Sequence, residues 1–245
     1  MTNTGRATAP GRLEGALTRI FMKSTTVRAS SELGERFRLV TLSGDSLRAV
    51  RWRPGQKVQV AIGNWAYRTF TPICWDADEG LTQLLLFLHG DTPGSVWGRA
   101  LALGSSCTLF GPRDSIELDR LDRPALLFGD ETSFGLAHAM RFTASGARGV
   151  RMVFEVSSRE VAEKILDQLG ITEAELVERK PADAHLSELE QVVVARVQGH
   201  SIQSCALSGK ASSIQALSKR LRSLGISRSQ LRTRAFWAPG KVGLD

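Results

Sequence analysis

The six residues at positions 67–72, Tyr-Arg-Thr-Phe-Thr-Pro, place a cation, an aromatic ring and two hydroxyl groups next to one another. Arginine pairs with phosphate through a planar fork of N–H donors, an aromatic ring offers a flat face for stacking, and a hydroxyl bonds a ring heteroatom. In an extended strand Arg68 and Phe70 share one face, and Thr69 and Thr71 share the other. These residues are candidates for holding a phosphorylated, ring-bearing cofactor. An ordinary exposed strand is the alternative that so short a run leaves open.

A second candidate lies in the turn-rich loop 89–97, which leads into a short helix over residues 98–103. Gly94, Ser95 and Val96 stand near the start of this helix, where unpaired backbone N–H groups and the positive end of the helix dipole favour an anion. We therefore expect a pyrophosphate to bind here. An ordinary capped turn is the alternative.

Three polar loops in the C-terminal half follow apolar stretches, at residues 130–133, 157–159 and 208–210. Ligands of parallel sheets bind at the carboxyl ends of the strands, so we expect these loops to meet at one edge. The run from Gly129 to Thr132 would serve a second nucleotide. Ser157 and Arg159 suit the 2′-phosphate that distinguishes NADP from NAD. Plain strand-to-helix turns and a solvated helix start are the alternatives.

The N-terminal candidates need a scaffold of short strands to position them. After a run with helical spacing, Leu13 to Phe21, the apolar residues come in short stretches separated by Gly, Pro and Asp turn signals. Six short strands without a long helix among them predict an antiparallel Greek-key barrel. The predicted strands are Thr25–Ser30, Phe37–Ser43, Lys57–Ile62, Tyr67–Asp76, Leu81–His89 and Ser106–Phe110.

After the polar segment 118–124, strands and helices alternate, which predicts a Rossmann-like parallel sheet with helices on both faces. Residues 172–179 read either as a capping box that opens a helix or as a short strand at 176–179. We place the domain boundary between residues 121 and 122, so that a barrel domain spans 1–121 and an α/β domain spans 122–245. The other predicted strands are 125–128, 150–156, 202–207 and 231–237, and the predicted helices are 136–143, 161–169, 186–197 and 214–223.

The composition narrows the classes of function. Three cysteines lie far apart without CxxC spacing and four histidines show no ligand pattern, which argues against a metal site and a disulfide scaffold. No apolar run approaches the roughly 20 residues of a membrane span, and the N-terminus has no apolar signal core, so we expect a cytoplasmic protein without a membrane partner. A net charge of +7 favours an anionic partner. Because basic strands with interleaved aromatic residues are lacking, we do not expect that partner to be nucleic acid.

The motifs together resemble the FAD-binding siderophore-interacting proteins, a branch of the ferredoxin–NADP reductase-like flavoproteins. Each motif is weak alone, but six of them stand in matching order across nearly the whole chain. The matching runs are Arg68–Thr71, Leu88–Asp91 leading into Ser95–Trp97, Phe110–Arg113, Gly129–Thr132, Gly209–Ser212 and Phe236–Lys241.

The resemblance implies roles for the barrel residues in binding FAD. Arg68 would bind the FAD phosphates, Phe70 would lie against the isoalloxazine ring, and Thr71 would bond the flavin near its reactive nitrogen, with Thr69 completing the motif. The family usually has tyrosine where Phe70 stands, so one hydroxyl contact to the cofactor is missing, and the loop before Arg68 is shorter. The residues expected to line the adenine and pyrophosphate end are His89, Gly94, Ser95 and Val96.

For the second domain, the resemblance implies a site for NADPH or NADH. Thr132, Ser157, Arg159 and the turn formed by Gly209 and Lys210 would hold this nucleotide, and Trp237 would lie near the flavin face. The family commonly has an acidic residue where Lys210 stands.

The resemblance implies a flavin-dependent ferric-siderophore reductase, in which NAD(P)H passes hydride to FAD and single electrons then release iron as Fe(II). Arg232, Arg234 and Lys241 are candidates for attracting the anionic ferric siderophore. The alternative is a related NAD(P)H-flavin reductase that exchanges electrons with a ferredoxin or another protein carrier.

Overall fold

The computed structural model describes residues 22–63 and 66–240. The helix predicted over Leu13 to Phe21 and the candidate residue Lys241 lie outside this part of the chain. The described residues form an antiparallel sheet of seven strands, followed by a parallel sheet of five strands with helices on both faces. The predicted fold class is confirmed.

The strands of the first sheet are β1 (Met22–Glu32), β2 (Phe37–Ser43), β3 (Lys57–Gly63), β4 (Ala66–Phe70), β5 (Pro72–Asp76), β6 (Leu81–Phe87) and β7 (Ser106–Arg113). Their order across the sheet is β4-β3-β7-β1-β2-β6-β5. Every neighbouring pair runs antiparallel.

The two edges of this sheet are joined by a single residue. Strands β4 and β5 lie at opposite ends of the order, although only Thr71 separates them in the sequence. One residue spans at most about 3.6 Å of extended chain, so the sheet must curl until its edges meet. The sheet is therefore a barrel, as predicted, and Thr71 lies at the seam. The single strand predicted over Tyr67–Asp76 is wrong, because the chain leaves one edge at Phe70 and enters the other at Pro72, which makes seven strands rather than six.

A short helix, α1 (Pro93–Ala100), packs against the barrel. Trp97 on this helix and Leu88 before it lie against the buried residues of the barrel interior. Gly98 allows the close approach, because a Cβ atom there would lie 2.7 Å from Leu88 Cδ2. The buried interior consists mainly of Val27, Val40, Leu42, Val58, Val60, Leu84, Leu86 and Leu109.

The second sheet contains β8 (Ala125–Gly129), β9 (Val150–Val156), β10 (Ala174–Glu178), β11 (Ser204–Lys210) and β12 (Leu231–Trp237), in the order β10-β9-β8-β11-β12. All neighbouring pairs are parallel. The helices are α2 (Phe134–Ala139), α3 (Arg159–Gln168), α4 (Leu186–Gly199) and α5 (Ala211–Ser223). Strands β8, β9 and β11 are buried almost throughout, which explains their continuous apolar runs.

The helices of the second domain cover opposite faces of this sheet. One face packs against α4 and α5 through residues such as Val193 and Leu217. The other packs against α2 and α3 through Leu136 and Ile165. None of the helices described in residues 22–63 and 66–240 is long and apolar enough to cross a membrane.

Three element boundaries differ from the sequence prediction. Helix α1 begins at Pro93 rather than at residue 98, because the Thr92 side chain caps it. Residues 172–179 contain strand β10 and no capping box helix, so the strand alternative is confirmed. Strand β11 continues through Lys210 and leads directly into α5, so the loop predicted at 208–210 is wrong.

The two domains share one apolar core. Phe37 and Ile73 of the barrel belong to the same buried cluster as Phe134 and Phe154 of the second domain, and the Phe37 and Phe134 rings stack at 5.5 Å. Gly135 lies at this interface, where a Cβ atom would come within 3.2 Å of both the Thr71 carbonyl oxygen and Ile73 Cγ2. The start of α2 is therefore packed directly on the barrel seam.

Replacing Gly135 with valine should separate these surfaces. Because backbone and a buried side chain occupy the space, we expect Gly135→Val to lower the free energy of unfolding by about 1–3 kcal/mol, measured by urea denaturation. Gly199→Val is the matched control, since a Cβ atom there would have no neighbour within 4 Å. Equal effects of the two substitutions would contradict the packing described here.

Candidate functional site

Arg68 lies across the start of helix α1. The Thr92 hydroxyl accepts a hydrogen bond from Ser95 N at 3.4 Å and caps the helix. A Cβ atom on Gly94 would lie 3.2 Å from Arg68 Cγ and 3.3 Å from its Nε. The aliphatic stem of Arg68 therefore occupies the space that a larger residue would take, and its guanidinium adds a full charge beside the partial positive charge of the helix start.

The guanidinium of Arg68 donates to the Tyr67 carbonyl oxygen at 2.8 Å. Within residues 22–63 and 66–240, no carboxylate forms an ion pair with it. A cation without a carboxylate partner, next to a helix N-terminus, is suited to bind phosphate.

Helix α1 is held at both ends by side chains of the barrel domain. The Ser95 hydroxyl donates to the His89 carbonyl oxygen at 3.0 Å and accepts from His89 N at 2.9 Å. At the other end, Arg38 donates to the carbonyl oxygens of Gly98 and Leu101 at 2.6 and 2.7 Å. The Arg38 bonds satisfy carbonyl groups that a helix end leaves unpaired, and the Ser95 bonds fix the start of α1 to the loop that follows β6.

Two aromatic contacts flank this region. The half-buried Phe70 packs against the barrel core, with its ring 6.2 Å from the ring of Trp97. His89 stacks on Phe87 at 5.4 Å. Burial lowers the pKa of His89, while Glu131 opposes this shift and Arg179 and Arg36 add to it. His89 is therefore neutral at neutral pH and does not add to the positive charge.

A buried carboxylate, Asp130, organises the end of strand β8. Its Oδ1 accepts from Thr132 N at 2.9 Å, and its Oδ2 accepts from Trp237 Nε1 at 2.6 Å. Gly209 has a φ of +101°, and a Cβ atom there would lie 2.5 Å from Asp130 Oδ2. Burial raises the pKa of Asp130 to about 6, against the lowering effect of the Thr132 hydrogen bond. Gly209 thus leaves room for the carboxylate that joins the loop after β8 to the end of β12.

Lys210 has a carboxylate partner from a neighbouring loop. Its ammonium group is paired with Asp183 and lies 5.8 Å from the centre of the Trp237 ring. Asp183 also accepts from the Ser212 hydroxyl at 3.1 Å, and hydrogen bonding to Lys210 lowers the pKa of Asp183. Asp183 and the preceding Ala182 are in the left-handed region, with φ of 58° and 52°. These bonds stabilise the strained loop, and they place a carboxylate beside Lys210.

The loop after strand β9 meets a second buried ion pair. Both oxygens of Glu131 accept from Arg179, at 2.7 and 2.6 Å, and Glu131 Oε1 also accepts from Ser157 N at 2.6 Å. Arg159 points elsewhere, because its guanidinium donates to the Leu176 carbonyl oxygen of strand β10 at 2.5 Å. Ser157 and the Arg159 guanidinium therefore do not converge on one point.

A third network is fully buried between α4 and α5. Glu155 Oε2 accepts from His185 Nε2 and from the Ser213 hydroxyl, both at 2.8 Å. His185 Nδ1 accepts from Lys180 N at 3.3 Å, which assigns the proton to Nε2. All three side chains have no exposed surface, so this Ser, His and Glu arrangement ties two helix starts to the sheet and does not contact a substrate.

The candidates from the sequence fall into two groups. Beside α1 the structure brings together Arg68, Phe70, His89, Gly94 and Ser95, and Thr71 lies at the adjoining seam. Around Asp130 it brings together Thr132, Gly209, Lys210 and Trp237. Thr69 pairs with Gln59 in the ladder of β3 and β4, and Val96 is 53% exposed on α1.

The candidate substrate residues lie along the edge strand β12. Arg234 stands opposite Ser208 and Arg232 opposite Ala206, on the amino side of Trp237. Arg232 is therefore five residues from the strand end, or about 16 Å at the usual rise per residue. Of these two, Arg234 is the nearer to the site.

Sequence reasoning missed two residues of this region, Arg179 and Arg36, and it included Asp130 only as part of the loop 130–133. The roles of Asp130 and Arg179 depend on partners 107 and 48 residues away. The capping position of Asp130, directly after an apolar strand, was a signal for it. Nothing in the sequence around Arg36 distinguishes it from other exposed arginines.

Comparison with solved structures supports the fold. A siderophore-interacting protein from Acinetobacter baumannii superposes with a TM-score of 0.73 and 14% identity over 89% of this chain and 91% of that one. A siderophore utilization protein from T. fusca gives a TM-score of 0.70 with 19% identity, over 91% and 95% of the two chains. The ferredoxin reductase of carbazole 1,9a-dioxygenase gives 0.70 with 17% identity, over 88% and 68%.

These identities are low, and the likeness is one of fold. No protein-family model matches the sequence. A search of curated proteins finds no match either. The resemblance inferred from the motifs is thus confirmed in the architecture: the chain has the two-domain fold shared by siderophore-interacting proteins and ferredoxin reductases.

The raised pKa of Asp130 predicts a pH dependence of stability. The folded protein binds this proton more tightly than the unfolded chain, in which the pKa of Asp130 is near 3.8. The free energy of unfolding should therefore fall by about 3 kcal/mol as the pH rises from about 4 to about 6, and this group should have no further effect above that. Asp130→Asn should remove that slope, at a pH-independent cost of about 1 kcal/mol for one lost hydrogen bond.

Urea denaturation of both proteins at pH 4, 5, 6, 7 and 8 measures the difference. Asp122→Asn, at an exposed position, is the control and should leave the slope unchanged. If wild type and Asp130→Asn keep parallel pH profiles, the carboxylate is not held in the folded state as described.

Proposed function

We propose that this protein is an FAD-dependent oxidoreductase that takes electrons from NAD(P)H and reduces a ferric siderophore, which releases iron as Fe(II). The observation that supports this most is the placement of Arg68, without a carboxylate partner in the described residues, across Gly94 at the start of α1. A phosphate group would balance this charge. The fold shared with siderophore-interacting proteins supports the choice of cofactor and substrate.

In this proposal the barrel holds FAD. Arg68 and the N–H group of Gly94 would bind its phosphates, with Ser95, His89 and Val96 lining the adenine and pyrophosphate end. Phe70 would lie against the ring system, and Thr71 at the seam would bond its polar edge. When bound, FAD supplies the conversion of a two-electron hydride donor into one-electron steps.

The second domain would hold the nicotinamide nucleotide at the carboxyl ends of its strands. Thr132, Ser157, Gly209 and Lys210 are the residues we assign to it, with Trp237 as the wall near the flavin, whereas Arg159, whose guanidinium is turned toward strand β10, is no longer assigned to it. No protein nucleophile is required, since the protein positions the reactants and excludes water between them. The proposed limits of the two domains remain 1–121 and 122–245, and the proposed location is the cytoplasm.

The basic C-terminal region would attract the substrate. Residues 211–240 contain no Asp or Glu. A positive field raises the local concentration of an anionic siderophore. The cations in this stretch are Lys219, Arg220, Arg222, Arg228, Arg232 and Arg234, and Lys241 follows it.

A second candidate function is electron exchange with a protein carrier such as a ferredoxin. The likeness to the ferredoxin reductase of carbazole 1,9a-dioxygenase and the same basic region favour it. Stopped-flow reoxidation of the reduced protein by a ferric siderophore, compared with reoxidation by a ferredoxin, separates the two functions. The faster oxidant under matched concentrations identifies the partner.

The proposed cofactor is tested by spectroscopy of the purified protein. We expect a yellow protein with a flavin spectrum that bleaches under anaerobic titration with NADPH or NADH. Protein that is colourless and cannot be reconstituted with FAD would contradict the proposal.

Arg68→Ala should weaken FAD binding about 10- to 100-fold, because a hydrogen bond between charged groups contributes about 1.5–3 kcal/mol. Arg68→Lys keeps the charge without the planar fork and should lose less. Fluorescence titration with FAD measures both constants. If Arg68→Ala binds FAD as wild type does, the phosphates lie elsewhere.

A further inference from the structure

Arg36, in the turn between β1 and β2, reaches from the barrel to the second domain. Its Nη1 donates to the Ser157 hydroxyl at 3.4 Å. Ser157 directly follows strand β9, at the carboxyl edge where parallel sheets bind ligands. A cation of one domain thus stands at the ligand-binding edge of the other.

The turn that carries Arg36 is held in place by packing and by a backbone hydrogen bond. Leu33 packs against the core shared by both domains, and a Cβ atom on Gly34 would lie 3.5 Å from Ile165 Cδ1 of α3. The Arg36 carbonyl oxygen accepts from Leu88 N at 2.7 Å, which fixes the turn to the end of β6. The backbone of Arg36 is therefore preorganised relative to strand β9.

Arg36 has no carboxylate partner among the residues that the structure describes, because the acids around Ser157 are bonded to other groups. The buried Glu131 already accepts from Arg179 and from Ser157 N. Glu178 accepts from Arg159 N at 3.4 Å. The second arginine, Arg179, is neutralised by Glu131, so the positive charge on this side of Ser157 is that of Arg36.

Arg159, the cation that the sequence suggested for this edge, is turned away from Ser157. It donates to the Leu176 carbonyl oxygen on the edge strand β10. His89, which Arg36 and Arg179 both influence, is neutral at neutral pH because burial lowers its pKa. Neither residue takes the place of Arg36.

We propose that Arg36 and Ser157 form a phosphate-binding site between the two domains. A phosphate group accepts hydrogen bonds from a guanidinium fork and from a hydroxyl. The charge of Arg36 is not neutralised by a carboxylate of the described residues, so it is available to an anion. This inference rests on the proposed nucleotide-binding function. Two groups have the required chemistry: the 2′-phosphate of NADPH and a phosphate of FAD.

The test uses Arg36→Ala, Arg36→Lys and the control Arg28→Ala, which removes the same charge from an exposed position on β1. Calorimetry measures the binding of adenosine 2′,5′-bisphosphate and of adenosine 5′-monophosphate, and fluorescence titration measures that of FAD. Thermal unfolding of each variant confirms that it is folded.

We expect Arg36→Ala to weaken one phosphate ligand at least tenfold, Arg36→Lys to weaken it less, and Arg28→Ala to stay within twofold of wild type. A loss confined to adenosine 2′,5′-bisphosphate assigns the site to the nicotinamide nucleotide, whereas a loss confined to FAD assigns it to the flavin nucleotide. Unchanged affinities for all three compounds in Arg36→Ala would overturn the proposal and leave Arg36 as a tie between the domains. A protein that shows no redox activity but loses bisphosphate binding in Arg36→Ala would refute the proposed function and keep this site.

Discussion

The one-residue connection between β4 and β5 constrains the whole molecule. Thr71 alone joins the two edges of the first sheet. The edge strands therefore cannot move apart at this point, and the barrel stays closed. The same residue carries the carbonyl oxygen against which Gly135 packs. Closure of the barrel and docking of the second domain therefore depend on one point, and Arg68, three residues before it, is placed by both.

Charge is distributed unevenly over the two sides of the site. In the second domain, Arg179 is paired with Glu131 and Lys210 with Asp183. In the barrel domain, Arg68 and Arg36 have no carboxylate partner among the described residues. The carboxylates paired with Arg179 and Lys210 lower the anion affinity of the sheet edge, whereas the barrel keeps its cations available. The barrel is thus expected to supply most of the attraction for phosphate, and the sheet to supply walls and hydrogen bonds.

The sequence predicts the parts of this structure that depend on local pattern. Apolar periodicity located the strands and the change from the barrel to the α/β domain, because buried positions require apolar residues at alternate or continuous spacing. It missed the break at Thr71, because nothing local shows that Phe70 and Pro72 belong to opposite edges. The direction of Arg159, the role of Arg36 and the bond from Trp237 to Asp130 were also out of reach, because each is decided by a partner distant in sequence. Residue types suggested a chemistry for the site, but they did not show which arginine faces it.

The shared core has a consequence for how the site selects its ligands. Phe37, stacked on Phe134, and Gly135, packed on Thr71, bury apolar surface between the domains. Opening such an interface would expose apolar surface at about 25 cal/mol per Å², so a hinge motion is costly. Ligands must therefore bind to a domain arrangement that is already set. Selection among ligands then depends on the positions of the fixed hydrogen-bond donors. Closure of the domains cannot correct a cation that lies about 1 Å out of place.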